Sequence, residues 1–333
     1  MSDTLLFILS LFATFLITVL ALKWLIPILK SHKMGQKILE IGPRWHKNKE
    51  GTPTMGGLSF IVAIALIATV GFIALGLRDG IRAIVPGAIT VAYACLNGLI
   101  GVIDDKAKLR HKKNEGLTPK EKYLLQLVAA GAYLAAMMLT KSLTTVLYVP
   151  YADLSIDLGI GYYVFALLLL TGIVNSVNLT DGIDGLASSV TAVAGVFLAL
   201  AAFLGRAGVF GSSVSLISAL MIGGTLGFLV YNFYPARVFM GDTGSLFLGG
   251  LVVGSAFLMG NPLIVVLVGI VYLAETASVI LQVSYFKLTH GKRIFKMAPI
   301  HHHFEQCGFS EIGVVVLFVT VTVLGCAAAW FGL

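Results

Sequence analysis

Residues 55–77 read MGGLSFIVAIALIATVGFIALGL, without one charged side chain. At about 1.5 Å of rise per residue, a helix of this length crosses the roughly 30 Å hydrocarbon core of a bilayer. Runs of the same kind, with few or no charges, recur near 4–29, 83–103, 123–140, 160–178, 186–204, 213–231, 245–260, 263–288 and 312–332. The expected fold is therefore an all-α polytopic membrane protein of about ten transmembrane helices, a single integral-membrane domain over residues 1–333. The run at 245–260 is the shortest, and its length also fits a re-entrant or tilted segment. The first run lacks the basic leader and small-residue cleavage site of a secretory signal, so it is expected to be retained.

Composition agrees. Of 333 residues, 58% are hydrophobic and 12% charged, whereas a soluble domain carries about a quarter charged residues. Cys95 and Cys326 fall within apolar runs and Cys307 stands alone, so neither a disulfide framework nor metal-ligand spacing is present.

Basic residues set the orientation. The odd-numbered loops hold Lys30, Lys33, Lys37, Arg44, Lys47 and Lys49, then Lys106, Lys108, Arg110, Lys112, Lys113, Lys120 and Lys122, then Arg237, then Lys287, Lys292, Arg293 and Lys296. The even loops hold only Arg78, Arg82, Lys141 and Arg206. The positive-inside rule makes the odd loops cytoplasmic and both termini external. Among the even loops, residues 143–158 carry two short β-prone segments around a polar turn, which predicts a small external hairpin without chemistry.

Asp104, Asp105, Asp181, Asp184, Asp242 and the run His301, His302, His303 all fall at membrane edges on the cytoplasmic loops. Chemistry at the membrane surface is the expected result. A transporter would bury its ionisable groups at mid-depth, where Glu275 is the one strong candidate.

Five motifs carry that chemistry. GVIDDKAK at 101–108 places two adjacent carboxylates at the end of a span, where they oppose the helix dipole and each other. Lysines, or a divalent cation bridging carboxylates and a phosphate, would relieve them; the plain alternative is a set of solvated Asp–Lys pairs. NLTDGIDGL at 178–186 offers Asn178, Asp181 and Asp184 to a ribose, a base edge or a metal, unless Asp184 merely caps the next helix. YNFYPARVFMGDTGS at 231–245 supplies Asp242, with Thr243 or Ser245 as alternative caps, ahead of a helix N-terminus suited to phosphate. APIHHHFE at 298–305 carries three histidines that cannot all face one way, which favours phosphate contact or proton handling over a histidine metal site. KEGTPTMGG at 49–57 reads as a phosphate-accessible loop beside Lys49. The GGTLG at 223–227, by contrast, reads as helix packing.

In this order the motifs resemble those of the phospho-N-acetylmuramoyl-pentapeptide transferase family, within the polyprenyl-phosphate N-acetylhexosamine-1-phosphate transferase superfamily, over nearly the whole chain. The resemblance implies a Mg2+-dependent enzyme of the bacterial inner membrane with a cytoplasmic-face active site. Its partners would be UDP-N-acetylmuramoyl-pentapeptide, undecaprenyl phosphate, membrane lipid and a second copy in a homodimer, with no nucleic acid. Attack of the lipid phosphate would release UMP and form lipid I, directly rather than through an aspartyl-phosphate. The histidine loop separates this family from relatives that use UDP-N-acetylglucosamine.

By motif position the implied catalytic set is Asp104, Asp105, Asp242 and His301, with Asp242 the first choice for Mg2+ and Asp104 and Asp105 in the same cluster. Asp104 would also orient or deprotonate the lipid phosphate. Asn178 and Asp181 would hold the uridine part, Lys49, Lys108 and Lys120 the phosphates, and Asn232 and His301 the surroundings of the pyrophosphate. Thr54, Asp184, His302 and His303 complete the substrate-binding set. Ile183, where leucine is common, is a small departure. A sister transferase for UDP-N-acetylglucosamine, with the same chemistry and a different sugar pocket, is the first alternative, and an ion-coupled transporter is the alternative from another class.

Overall fold

The computed structural model describes residues 2–31, 49, 51–111 and 116–333, with backbone alone at 109–111. Lys33, Lys37, Arg44, Lys47, Lys112, Lys113 and the Arg110 side chain, used above for orientation, lie outside the described residues, as does Glu50 of the 49–57 motif. The elements are α1 (Asp3–Ser31), α2 (Leu58–Asp79), α3 (Ile81–His111), α4 (Pro119–Leu139), β1 (Val146–Val149), β2 (Leu154–Asp157), α5 (Gly161–Thr180), α6 (Leu186–Phe203) and α7 (Gly211–Asn232). They are followed by α8 (Gly241–Leu258), α9 (Ile264–Val268), α10 (Ile270–Leu288), α11 (Ile300–Gln306) and α12 (Glu311–Phe331).

Among the described residues, nine helices are long and apolar enough to cross a membrane: α1 to α8 and α12. The ninth expected span, 263–288, is not one helix. It breaks at Gly269 into the five-residue α9 and the longer α10, which carries the buried Glu275. The shortest expected span, 245–260, becomes α8, an 18-residue helix whose side is buried from Thr243 to Leu258.

Small residues explain how α8 reaches the centre. A Cβ at Gly249 would sit 2.7 Å from Val174 Cα on α5, and one at Gly250 would sit 3.0 Å from Ala94 Cα on α3. Without those side chains the three backbones approach closely, which is how helices associate where water supplies no drive. The pair Gly223 and Gly227 does the same for α7 against α1: a Cβ at Gly223 would collide with Leu11 O, and one at Gly227 would lie 2.8 Å from Phe15 O. α4 starts on a capping box in which Thr118 Oγ1 accepts from Glu121 N (3.3 Å) and Glu121 Oε2 accepts from Thr118 N (2.9 Å).

The expected hairpin is present as antiparallel β1–β2, pairing Val146 with Asp157 through Val149 with Leu154. The Tyr151 hydroxyl at its tip donates to Ala328 O near the end of α12. Arg206, after α6, donates to Trp330 O (3.0 Å) with its guanidinium 4.6 Å from the Trp330 ring centre. Ser212, at the start of α7, donates to Asp3 Oδ2 (3.3 Å), and Arg78 pairs with Asp3 (2.7 Å). Both chain ends thus share the hairpin's face, and the acidic motifs gather at the other.

The Gly227→Leu substitution should force α1 off α7, at a cost of about 1–3 kcal/mol or more, and lower the melting temperature of the purified protein. Gly172→Leu, where no atom lies within 4 Å of the added Cβ, should leave it unchanged.

Candidate active site

The N-terminus of α8 is capped from another helix. Gly241 turns the chain with φ +70°, a left-handed conformation natural to glycine, and a Cβ there would lie 2.5 Å from Asp105 Oδ2. Into that space comes Asp105 of α3, whose carboxylate accepts from Asp242 N (3.2 Å), Thr243 N (2.9 Å) and Thr243 Oγ1 (2.7 Å). The two amides are first-turn donors without an intrahelical partner, and an anion at a helix N-terminus is also stabilised by the dipole's positive end. The expected local caps therefore give way to a cap in trans, and the Asp242 side chain is left for other contacts. α3 continues to His111, so the aspartate pair lies within the helix and not at its end. Neighbours on a helix diverge by about 100°, which sends Asp104 elsewhere.

Asp104 Oδ1 accepts from Leu117 N (2.7 Å), and its Oδ2 lies 2.8 Å from Lys108 Nζ and 3.6 Å from Lys122 Nζ. Asp242 Oδ2 takes both lysines, Lys108 at 2.8 Å and Lys122 at 2.7 Å. Its Oδ1 accepts from Asn178 Nδ2 (2.9 Å), which also reaches Ser245 Oγ (2.8 Å). One oxygen from each of Asp104, Asp105 and Asp242 falls within a 4.8 Å group. Burial, and then the charges of Asp242, Asp105 and Asp184, push the nearby Asp181 carboxyl well above the usual carboxylate range.

Lys122, and not the expected Lys120, reaches the cluster. Lys120 is exposed, whereas Lys122 points inward from α4 and also donates to Asn178 Oδ1 (3.3 Å). The signal was available: Gln126, four residues on and so on the same helix face, is a buried polar residue that pairs reciprocally with Asn175 of α5 (2.7 and 3.3 Å).

The remaining candidates divide into braces and flanking groups. Asn232 is buried, accepting from Gly185 N (3.1 Å) and donating to Val238 O (2.9 Å), so it ties the 178–186 loop to the 233–240 loop. Lys49 bridges Asp184 (2.7 Å) and Glu311 (2.5 Å), apart from the acidic cluster. Asp184 also accepts from Ala236 N (2.8 Å), and Gly185 takes the cap position of α6 expected for Asp184. In the 49–57 motif, Gly56 N and Gly57 N donate to Phe239 O (2.8 Å) and Met240 O (3.1 Å), so amides expected for a phosphate support the start of α8 instead. Thr54 is buried against Gly241.

The three histidines diverge, as consecutive positions must. His301 Nδ1 lies 3.0 Å from Glu275 Oε1, His302 Nδ1 lies 2.7 Å from Glu305 Oε2, and His303 Nδ1 accepts from Lys296 N (3.1 Å). Glu275 is thereby engaged by α11, at the same end as the acidic motifs.

Residues 87–260 match the glycosyl transferase family 4 model, and residues 49–61 match phospho-N-acetylmuramoyl-pentapeptide-transferase signature 1. The chain is 44% identical over 311 residues to the phospho-N-acetylmuramoyl-pentapeptide-transferase of Clostridium perfringens (strain 13 / Type A), covering 93% of each. It is 43% identical over 323 residues to that of Clostridioides difficile (strain 630), covering 96% of this chain and 94% of the relative. With the one from Staphylococcus carnosus (strain TM300) the identity is 42% over 322 residues, covering 96% and 97%. The chain belongs to the phospho-N-acetylmuramoyl-pentapeptide-transferase family.

It is accordingly a multi-pass bacterial membrane protein and a phosphosugar transferase. The family signature falls on the segment that braces Phe239 and Met240, and the broader model spans α3 to α8, which hold the carboxylate cluster.

Removing the trans cap has a structural signature. Asp105→Ala strands two buried donors of Thr243 and the half-buried Asp242 N–H, and should cost about 1–3 kcal/mol, lowering the melting temperature. A melting temperature equal to that of the unsubstituted protein would contradict the capping role.

Proposed function

We propose that the protein transfers phospho-N-acetylmuramoyl-pentapeptide from its UDP-linked donor to undecaprenyl phosphate, releasing UMP and forming lipid I, the first membrane step of peptidoglycan synthesis. The observation that carries this reading is the convergence of Asp104, Asp242, Lys108, Lys122 and Asn178 on the start of α8. The family membership names the substrates.

Both substrates are phosphates, and one is a lipid, so the site must admit a soluble nucleotide from the cytoplasm and a polyprenyl chain from the bilayer. An oxygen of the lipid phosphate forms a bond to the sugar-linked phosphorus. The bond from that phosphorus to the bridging oxygen breaks, and UMP leaves with the electron pair. Reaction depends on bringing two anions together and on stabilising charge at the leaving oxygen. Lys108 and Lys122 supply positive charge, each already shared between Asp104 and Asp242, and Asn178 fixes the Asp242 carboxylate. Asp104 is suited to orient the incoming lipid phosphate.

The donor set of the cluster is all oxygen, which suits Mg2+. Asp104 and Asp242 are the residues that would hold it, since Asp105 is committed to α8. When bound, Mg2+ neutralises phosphate charge and stabilises the UMP leaving group. Asp105 then acts by placing Asp242.

We assign the motif-bearing face to the cytoplasm because basic residues concentrate in its loops, which leaves both termini external in the inner membrane; the homodimer is proposed from the family resemblance. The engagement of Glu275 with His301 speaks against a transporter that carries protons or cations through mid-bundle.

Purified protein given undecaprenyl phosphate and Mg2+ should release UMP from UDP-N-acetylmuramoyl-pentapeptide and not from UDP-N-acetylglucosamine, and chelation with EDTA should stop it. No UMP from the first donor, in folded protein supplied with lipid, overturns the proposal. In the same assay Lys122→Ala should lose about 100-fold or more of kcat, while Lys120→Ala should stay within about twofold; the reverse order would contradict the placement of Lys122.

A further inference from the structure

We infer that Glu275 is the positioning residue of His301, holding the ring as the Nδ1–H tautomer with the Nε2 lone pair turned to the 181–184 loop, where it accepts a hydrogen bond from a hydroxyl or amide N–H of the nucleotide-sugar donor. This rests on the function proposed above and adds to it a specific contact.

Both partners are buried, Glu275 at 0% exposure and His301 at 1%. Glu275 Oε1 lies 3.0 Å from His301 Nδ1, and its Oε2 lies 3.5 Å from His301 N, a first-turn amide of α11. An ionised carboxylate only accepts hydrogen bonds, so the shared proton belongs to Nδ1. In a neutral imidazole the other nitrogen is then an acceptor.

That nitrogen, Nε2, is buried and has no hydrogen-bond partner among the described residues. Buried polar atoms are normally paired, so an unpaired one facing a functional loop marks a place for a ligand group. It faces Gly182: a Cβ there would collide with Nε2 and lie 2.5 Å from Cε1. Gly182 is exposed and Nε2 is buried directly beneath it, so a donor group reaches the lone pair from the open side of the motif when the 181–184 loop shifts. Glycine at 182 is thus required by a ring from another loop, in addition to any role in turning the chain.

The tautomer selects the ligand. Phosphate oxygens at neutral pH are acceptors and do not pair with a lone pair, whereas ribose and amino-sugar groups of the donor carry O–H and N–H. Disturbing His301 through Glu275 therefore acts on the nucleotide-sugar and spares the lipid phosphate.

The test uses steady-state UMP release by the full chain with Glu275→Gln and, independently, Gly182→Ala. Gln has the shape of Glu but offers one acceptor and one N–H2 group to two N–H donors. It either faces the amide to Nδ1, which enforces the opposite tautomer, or leaves the backbone amide opposed. The expected result is a rise of about 10- to 100-fold in KM for the UDP-linked donor, against little change in KM for undecaprenyl phosphate or in the melting temperature. Gly182→Ala should give the same split between substrates. A donor KM for Glu275→Gln within threefold of that of the unsubstituted protein, or an equal rise for both substrates, overturns the inference. Should the unsubstituted protein release no UMP, the proposed function fails, and the tautomer is read separately: in protein labelled with 15N-histidine, Nε2 of His301, assigned by its loss in His301→Gln, should resonate as an unprotonated nitrogen. A protonated Nε2 there overturns the inference on its own.

Discussion

The Asp105 carboxylate accepts hydrogen bonds from the first amides of α8, and most of the site follows from that cap. It fastens α3 to α8 at the point where the two helices are already drawn together by small residues. A Cβ at Gly101, one turn before Asp105, would collide with Asp242 O. With Asp105 fixed below, the Asp242 side chain is held above the helix end, where Lys108, Lys122 and Asn178 meet it. The segment 53–57 supports the same corner through Phe239 and Met240, so α3, α4, α5 and this segment are all committed to one helix terminus.

Charge balance explains why such a corner suits phosphate chemistry. Asp104, Asp105 and Asp242 supply three carboxylates, and Lys108 and Lys122 supply two ammonium groups, with Asp105 further offset by the positive end of α8. The remaining negative charge favours a divalent cation, and cation and lysines together favour phosphates. The lysines are shared between carboxylates, so an arriving phosphate can exchange partners with little loss of pairing.

Much of this was legible in the sequence, for reasons that differ by residue. Uncharged runs of bilayer length located the helices, and β-prone segments flanking a polar turn located β1 and β2. Consecutive histidines had to diverge, and they do. What the sequence did not reveal was non-local. The cap of α8 comes from α3, more than a hundred positions earlier, so local capping rules pointed to Asp242, Thr243 and Ser245 instead. The break at Gly269 lies where α12 packs closely against the segment, since a Cβ at Gly325 would collide with Leu267 O, yet 263–288 reads as one apolar run. Lys122 and Lys120 both sit in a basic stretch, and only the helical face shared with Gln126 separates them. Glu275 read as a mid-membrane acid because its partner lies in a different loop.

The most direct test of the carboxylate corner is a titration of the purified protein with Mn2+ as a spin-visible substitute for Mg2+, followed by electron paramagnetic resonance. One tightly bound Mn2+ per chain, displaced by Mg2+ and lost in Asp242→Asn, is the expected result. Binding that survives Asp242→Asn unchanged would place the metal, and with it the reaction centre, somewhere other than the start of α8.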